Sequence, residues 1–206
     1  MKYLKVPVFL TSSQVVIYFI TKLFLNNEFV LNNLLDDQIP FVPYFIYFYI
    51  SWYILLFLVP IIYMKYDKKA LKKYTYTNFI SVLVCGIIFI IFPTTINRPN
   101  IEVTSITTWL VNTIYYFDTP AVNCLPSIHS LICFIFILCN SKANIKTSYK
   151  CIIDILSVLI ILSTLFIKQH VIYDVLSSFI VSSITYIIVT KKETKFSFLS
   201  FLHKKQ

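Results

Sequence analysis

Three short polar clusters break a chain that is otherwise apolar, and their residue types suit chemistry. The richest is Lys168-Gln169-His170-Val171-Ile172-Tyr173-Asp174, set between two long apolar runs. A His and an Asp four apart are expected on one face of a helix, where the carboxylate can hydrogen-bond the imidazole. Such a His is an oriented nucleophile or base. The second cluster is Cys124-Leu125-Pro126-Ser127-Ile128-His129. Its Pro126-Ser127 start opens a helix whose first N–H groups can hold an anion. His129 can give or take a proton near neutral pH. The third is Asn97-Arg98-Pro99. Arg98 offers a planar fork of donors suited to phosphate, and Lys168 adds a point charge. Ionisable groups beside hydrocarbon are unfavourable, which points to chemistry; the alternative is a wetted polar patch at a helix end. Together the parts suit phosphoryl transfer. No carboxylate cluster suggests Mg²⁺ or Ca²⁺, and three His spread along the chain do not suggest zinc. Neither a metal nor a cofactor is expected.

The elements that must position these residues are membrane helices. The 206-residue chain is 58% hydrophobic and 13% charged, with mean hydropathy +0.77. A soluble domain would carry roughly twice that charged fraction. The apolar runs approach the roughly 20 residues needed to cross a bilayer. One all-α, polytopic membrane domain over residues 1–206 is expected. Five Cys without metal-type spacing give neither a disulfide framework nor a zinc site. The basic N-terminus before an apolar run resembles a signal peptide, but no small-x-small site follows, so it is taken as a retained first helix.

Six spans are expected, at about residues 6–25, 41–64, 77–93, 125–139, 151–167 and 171–190. Their orientation follows from Lys and Arg asymmetry. Of the 18 cations, 15 fall on one side if there are six spans: the N-terminus, the segment from Lys65 to Lys73, the loop with Lys142, Lys146 and Lys150, and the tail. Both termini are then cytoplasmic. This distribution assigns the +9 net charge to orientation and anionic headgroups, not to nucleic acid. Only Lys22, Arg98 and Lys168 remain outside, and binding an anion is the simplest reason for two of them. All three clusters then lie at the outer membrane face. Between the third and fourth spans, Ile106, Trp109, Leu110 and Ile114 recur at helical spacing. They predict a short amphipathic helix in the outer interface, with Trp109, Tyr115 and Tyr116 as headgroup-level anchors. His203 lies in the basic tail and receives no catalytic role.

These motifs resemble the type 2 phosphatidic acid phosphatase superfamily, whose catalytic core is shared with vanadium haloperoxidases. The family pattern is Lys-x6-Arg-Pro, then Pro-Ser-Gly-His, then Ser-Arg-x5-His-x3-Asp. Here Arg98-Pro99 matches the end of the first motif. Pro126-Ser127-Ile128-His129 matches the second except at Gly. Ser163, His170 and Asp174 match the third. Motif order, intervals and six-span topology agree as well. The family's first Lys falls at Ile91, its Gly at Ile128 and its second Arg at Thr164. Lys168, expected one turn from Thr164 on the same helix face, could replace one missing cation. These departures resemble the branch that includes lipid phosphotransferases of the inositol-phosphorylceramide synthase type. They leave open a water, lipid hydroxyl or sugar hydroxyl acceptor, and also an inactive member.

The resemblance implies that His170 attacks phosphorus to form a phosphohistidine, oriented by Asp174. His129 protonates the leaving oxygen and then activates the acceptor. Arg98, Lys168 and the Ser127 region stabilise the equatorial oxygens. The expected protein is a multi-pass cell-membrane enzyme acting on a lipid phosphate: phosphatidic acid, phosphatidylglycerol phosphate or isoprenyl diphosphate. An ion-coupled transporter using His129, His170 and Asp174 is a competing class, although transporters tend to hold such groups near the midplane. A non-catalytic membrane partner is a further reading.

Overall fold

Inside hydrocarbon every backbone N–H and C=O must be paired within the segment, so long apolar runs fold as helices. The computed structural model describes residues 4–24 and 28–191. Lys2, the tail lysines Lys192, Lys195, Lys204 and Lys205, and His203 lie outside the described residues. The helices are α1 (Lys5–Lys22), α2 (Leu34–Gln38), α3 (Ile46–Tyr66), α4 (Lys68–Ile91), α5 (Ile106–Phe117), α6 (Ile128–Asn140), α7 (Thr147–Phe166) and α8 (Ile172–Lys191). Two short strands, β1 (Phe29–Val30) and β2 (Thr94–Thr95), pair in parallel, and Thr95 bridges to Val122. This small tie, which periodicity does not predict, joins three connecting segments at one end of an α-helical bundle.

Among the described residues, four helices are long and apolar enough to cross a membrane: α3 with its preceding 3-10 turn (Pro43–Tyr66), α4, α7 and α8. The chain is a membrane protein. The other two expected spans are shorter. α1 has 18 residues with a Lys at each end, and α6 has 13. At 1.5 Å per residue α6 is about 20 Å long, against about 30 Å of hydrocarbon.

α6 is the centre of the bundle. Leu131, Ile132, Cys133, Ile135 and Phe136 are all fully buried, and α4, α7 and α8 pack around it. The outer helices turn Ile54, Ile155 and Ile180 outward, as lipid-facing surfaces do. Polar side chains join helices inside the bundle. Asn78 Nδ2 donates to Tyr74 Oη within α4 at 3.0 Å, and Gln14 Nε2 of α1 donates to Asn78 Oδ1 at 3.4 Å. Tyr63 Oη donates to Asn140 Oδ1 at 2.6 Å, and Asn140 Nδ2 donates to Asp154 Oδ1 at 2.8 Å. Such bonds tie membrane helices in register.

Two boundaries differ from expectation. The basic segment from Lys65 to Lys73 is not a loop: α3 ends at Tyr66 and α4 starts at Lys68. Asp67 alone forms the corner, its Oδ1 accepting from the N–H groups of Lys69 and Ala70 as an N-cap. Lysines are good helix formers, so once Asp67 caps them they continue the helix. α5 occurs where an amphipathic helix is expected, capped by Ser105. Ile106, Trp109, Tyr116 and Phe117 are exposed on it. Tyr115 points inward instead, its hydroxyl donating to Ile167 O at 2.6 Å. The cause is spacing: Tyr115 shares a helix face with Thr108 and Val111, which are buried.

Candidate active site

The ends of α4 and α7 and the starts of α6 and α8 meet at one end of the bundle. The Asp67 corner and the segment with Lys142, Lys146 and Lys150 lie at the other, where Asp67 Oδ2 accepts from Asn144 N at 2.7 Å. The first end carries Arg98, Ser127, His129, Lys168, His170 and Asp174.

His170 and Asp174 are in contact, with Nδ1 to Oδ2 at 2.9 Å. They do not share a helix face. α8 starts at Ile172, two residues after His170. Asp174 lies in the first turn of α8, and its Oδ2 also accepts from Val171 N at 3.1 Å. A carboxylate in that position caps the helix start and reaches back to His170. The backbone of His170 hangs from the previous helix: Thr164 O accepts from both Gln169 N (2.9 Å) and His170 N (3.0 Å). Because α7 ends at Phe166, Lys168 is not on the face of Thr164 either. It sits in the turn with φ of 54°, a left-handed conformation uncommon for a residue with a Cβ.

His129, in the first turn of α6, lies 5.7 Å from His170 between ring centroids. The rings of Trp52 (4.3 Å) and Tyr49 (4.6 Å) from α3 also pack against it. Its Nε2 is buried with no hydrogen-bond partner among the described residues. Ser127 caps α6, its hydroxyl oxygen accepting from Ser130 N, while its own N–H donates to Asp174 O at 3.2 Å. Ser178 Oγ is bonded to both Ser127 O and Asp174 O. These bonds lock the starts of α6 and α8 together.

Arg98, the chain's sole arginine, is held on several sides. Nη2 pairs with Asp118 Oδ2, Nη1 donates to Asp118 O at 3.2 Å, and the guanidinium lies 4.8 Å above the Tyr115 ring. Asp118 also accepts from Tyr18 Oη and Gln169 Nε2. Lys168 Nζ donates to the carbonyls of Asp36 and Ile39 around the C-terminal end of α2, where a cation is favoured. Asp36 Oδ1 in turn accepts from Ile172 N at 2.9 Å.

The family's missing groups have clear positions. Ile91 ends α4 and is 76% exposed, away from the cluster. Ile128 packs against the bundle core. Thr164 is fully buried, its hydroxyl donating to Ile161 O. None of these side chains offers a second cation.

Two cavities flank the histidines. One, of about 710 Å³, is lined by Asn32, Asn97, Arg98, Lys168 and His170. The other, of about 270 Å³, lies between α1, α3 and α5 and is lined by Phe19, Trp52, Tyr53, His129 and Asp118. The first has mixed polar and apolar walls, and the second is largely apolar.

Sequence reasoning missed Trp52, Tyr49, Tyr18, Asp118 and Gln169. The aromatic residues are hidden in spans rich in Tyr and Phe. Asp118 is one of two carboxylates, with Glu102, in the segment that follows Arg98, and the sequence does not say which of them pairs with it. Gln169 adjoins His170 and could have been noted for that alone.

A helical membrane bundle with two histidines, an oriented carboxylate and an arginine at one end belongs to the class of phosphoryl-transfer membrane proteins. The chain belongs to the PAP2 superfamily, whose family model matches residues 14–188 and so covers all three motifs. No curated protein and no solved structure gives a significant match. Membership supports a function of the phosphatase or phosphotransferase type.

Proposed function

We propose that this protein transfers a phosphoryl group from a lipid phosphate through a phosphohistidine on His170. The observation that carries the reading is the contact of His170 Nδ1 with buried Asp174, with His129 beside it. Because Nδ1 is engaged, Nε2 is the nitrogen free to attack. In the first step a P–N bond forms at Nε2 as the P–O bond to the lipid alcohol breaks, and protonated His129 gives its proton to the departing oxygen. In the second, His129 takes the proton of an acceptor hydroxyl, that oxygen bonds phosphorus, and the P–N electron pair returns to His170. Arg98 stabilises the equatorial oxygens, with its unpartnered Nε as one donor. Lys168 keeps one of its three donors and its charge for the same cavity. The Ser127 hydroxyl proton and the first N–H groups of α6 complete the anion site.

In this reading α1 and α6 complete six spans, the lysine-rich corners are cytoplasmic, and the site opens at the outer face of the cell membrane. Phosphatidic acid, phosphatidylglycerol phosphate and isoprenyl diphosphate are the candidate donors, and water the simplest acceptor. One observation favours a hydroxyl acceptor as the second reading. His129, which would activate the acceptor, lines the largely apolar cavity, whereas His170 lines the more polar of the two.

The test is to incubate purified protein with a panel of lipid phosphates, with and without alcohol acceptors, and to separate free from transferred phosphate. His170→Ala is expected to abolish turnover. His129→Ala and Asp174→Asn are expected to reduce it by about 10²–10⁴-fold. Full turnover by the His170 variant would rule out the phosphohistidine. Vanadate, which can adopt the five-coordinate phosphoryl geometry, is expected to inhibit.

A further inference from the structure

Asp118 has no part in the mechanism above, yet it gathers donors from three separate parts of the chain. Its Oδ1 accepts from Tyr18 of α1. Its Oδ2 accepts from Arg98 Nη2 and from Gln169 Nε2, the latter at 2.7 Å. Its backbone carbonyl accepts from Arg98 Nη1 at 3.2 Å. We propose that Asp118 is a positioning residue: it holds the Arg98 guanidinium, and through Gln169 the turn that carries His170, in the arrangement that receives the transferred phosphoryl group.

The geometry separates this role from its main rival, in which the Asp118 carboxylate occupies the anion's own place and must be displaced. Arg98 and His170 line the larger, mixed cavity together, and Asp118 does not; it lines the smaller, largely apolar cavity with His129. Asp118 takes one donor from each terminal nitrogen of the guanidinium and leaves Nε, which is buried and unpartnered. The Tyr115 ring beneath the guanidinium sets its plane. A phosphate that replaced the carboxylate would have to take over its bonds from Tyr18 and Gln169, which line the smaller cavity and not the one that Arg98 and His170 share. A charge opposite Arg98 also weakens its attraction for an anion, so its presence there makes sense only if position matters more than charge. Arg98 is the chain's one guanidinium, and Ile91 and Thr164 stand where the family has further cations. The aim of this one fork therefore carries more of the load.

The inference rests on the phosphoryl-transfer reading, and the experiment keeps the two apart. Binding of vanadate and turnover of a lipid phosphate are measured for the full chain, Asp118→Asn, Tyr18→Phe, Arg98→Ala and the Asp118→Asn/Arg98→Ala double variant, with helicity checked by circular dichroism. Asp118→Asn keeps size and shape and is expected to weaken vanadate binding about 10-fold and to lower kcat/KM by about 10- to 100-fold. Tyr18→Phe, which removes one hydroxyl, should act in the same direction and more weakly. In the Arg98→Ala background Asp118→Asn should change either quantity several-fold less than in the unaltered chain, because the Arg98 route is gone and only the route through Gln169 remains. Equal effects of Asp118→Asn in both backgrounds, unchanged binding, or tighter binding would overturn the proposal. If the unaltered protein binds vanadate but turns over no lipid phosphate, the functional reading fails and the vanadate cycle alone decides the role of Asp118. If it binds no vanadate, the positioning proposal is wrong.

Discussion

His129 shows how much of this site depends on shape at a single residue. Trp52 and Tyr49 pack against its ring at 4.3 and 4.6 Å, and no hydrogen bond fixes its Nε2. Aromatic packing, not polar contact, therefore sets the orientation of the His129 ring, the proposed acid-base group. Trp52→Leu is expected to lower kcat by about 10-fold or more while leaving KM within about threefold, since small errors of placement weigh most in the transition state. Trp52→Phe, which restores a flat ring, should recover most of the rate; steady-state kinetics on both variants would check this, and equal losses would argue against a packing role. The histidines, Arg98 and Asp174 were legible because polar residues stand out in an apolar chain. Trp52 and Tyr49 were not, because aromatic residues are common in α3 and only the fold brings two of them to His129.

At the scale of elements, the apolar runs announce the four long membrane helices among the described residues, and the short polar side chains decide where helices start. Asp67 caps α4 and also receives Asn144 N from the α6–α7 connection. Burial works to raise its pKa, but the N–H groups of Asn144, Ala70 and Lys69 outweigh it and hold the carboxylate below its usual range. A depressed carboxylate contributes stability that is fully present above its unfolded value, about 3.9, and is lost as pH falls through the folded value. Asp67→Asn is therefore expected to melt at a lower temperature than the unaltered protein at neutral pH. The gap should narrow as pH drops toward about 3. Thermal unfolding in detergent at several pH values would read it, and a gap that does not change with pH would contradict the assignment. The α3–α4 boundary was misread because lysine runs look like loops, whereas capping by one Asp is enough to make them helix. The β1–β2 pair was invisible because two-residue strands carry no period.

For the whole molecule, the segregation of charge predicts its placement in the membrane. Asn100→Cys and Lys146→Cys, each placed in a Cys-free background, would mark the two ends of the bundle. The first is expected to react with a membrane-impermeant maleimide in intact cells, and the second only after permeabilisation; the reverse pattern would invert the orientation. The general architecture was legible because membrane insertion imposes one rule on the entire backbone. The position of α6 at the centre was not, since a helix with apolar residues all round reads the same whether lipid or protein surrounds it.

The turn between α7 and α8 is also a joint. The main chain of His170 is suspended from the last turn of α7 through Thr164 O, while its ring is clamped by the first turn of α8 through Asp174. Whatever shifts one helix along its axis relative to the other must rotate the imidazole. Bilayers thicker or thinner than the helices tilt them, at a modest energy per ångström of mismatch. Turnover measured in vesicles of graded acyl length is therefore expected to peak at one thickness and fall on both sides, with vanadate affinity falling alongside it. A flat profile would mean that the joint is stiff enough to isolate the His170 ring from the membrane around it.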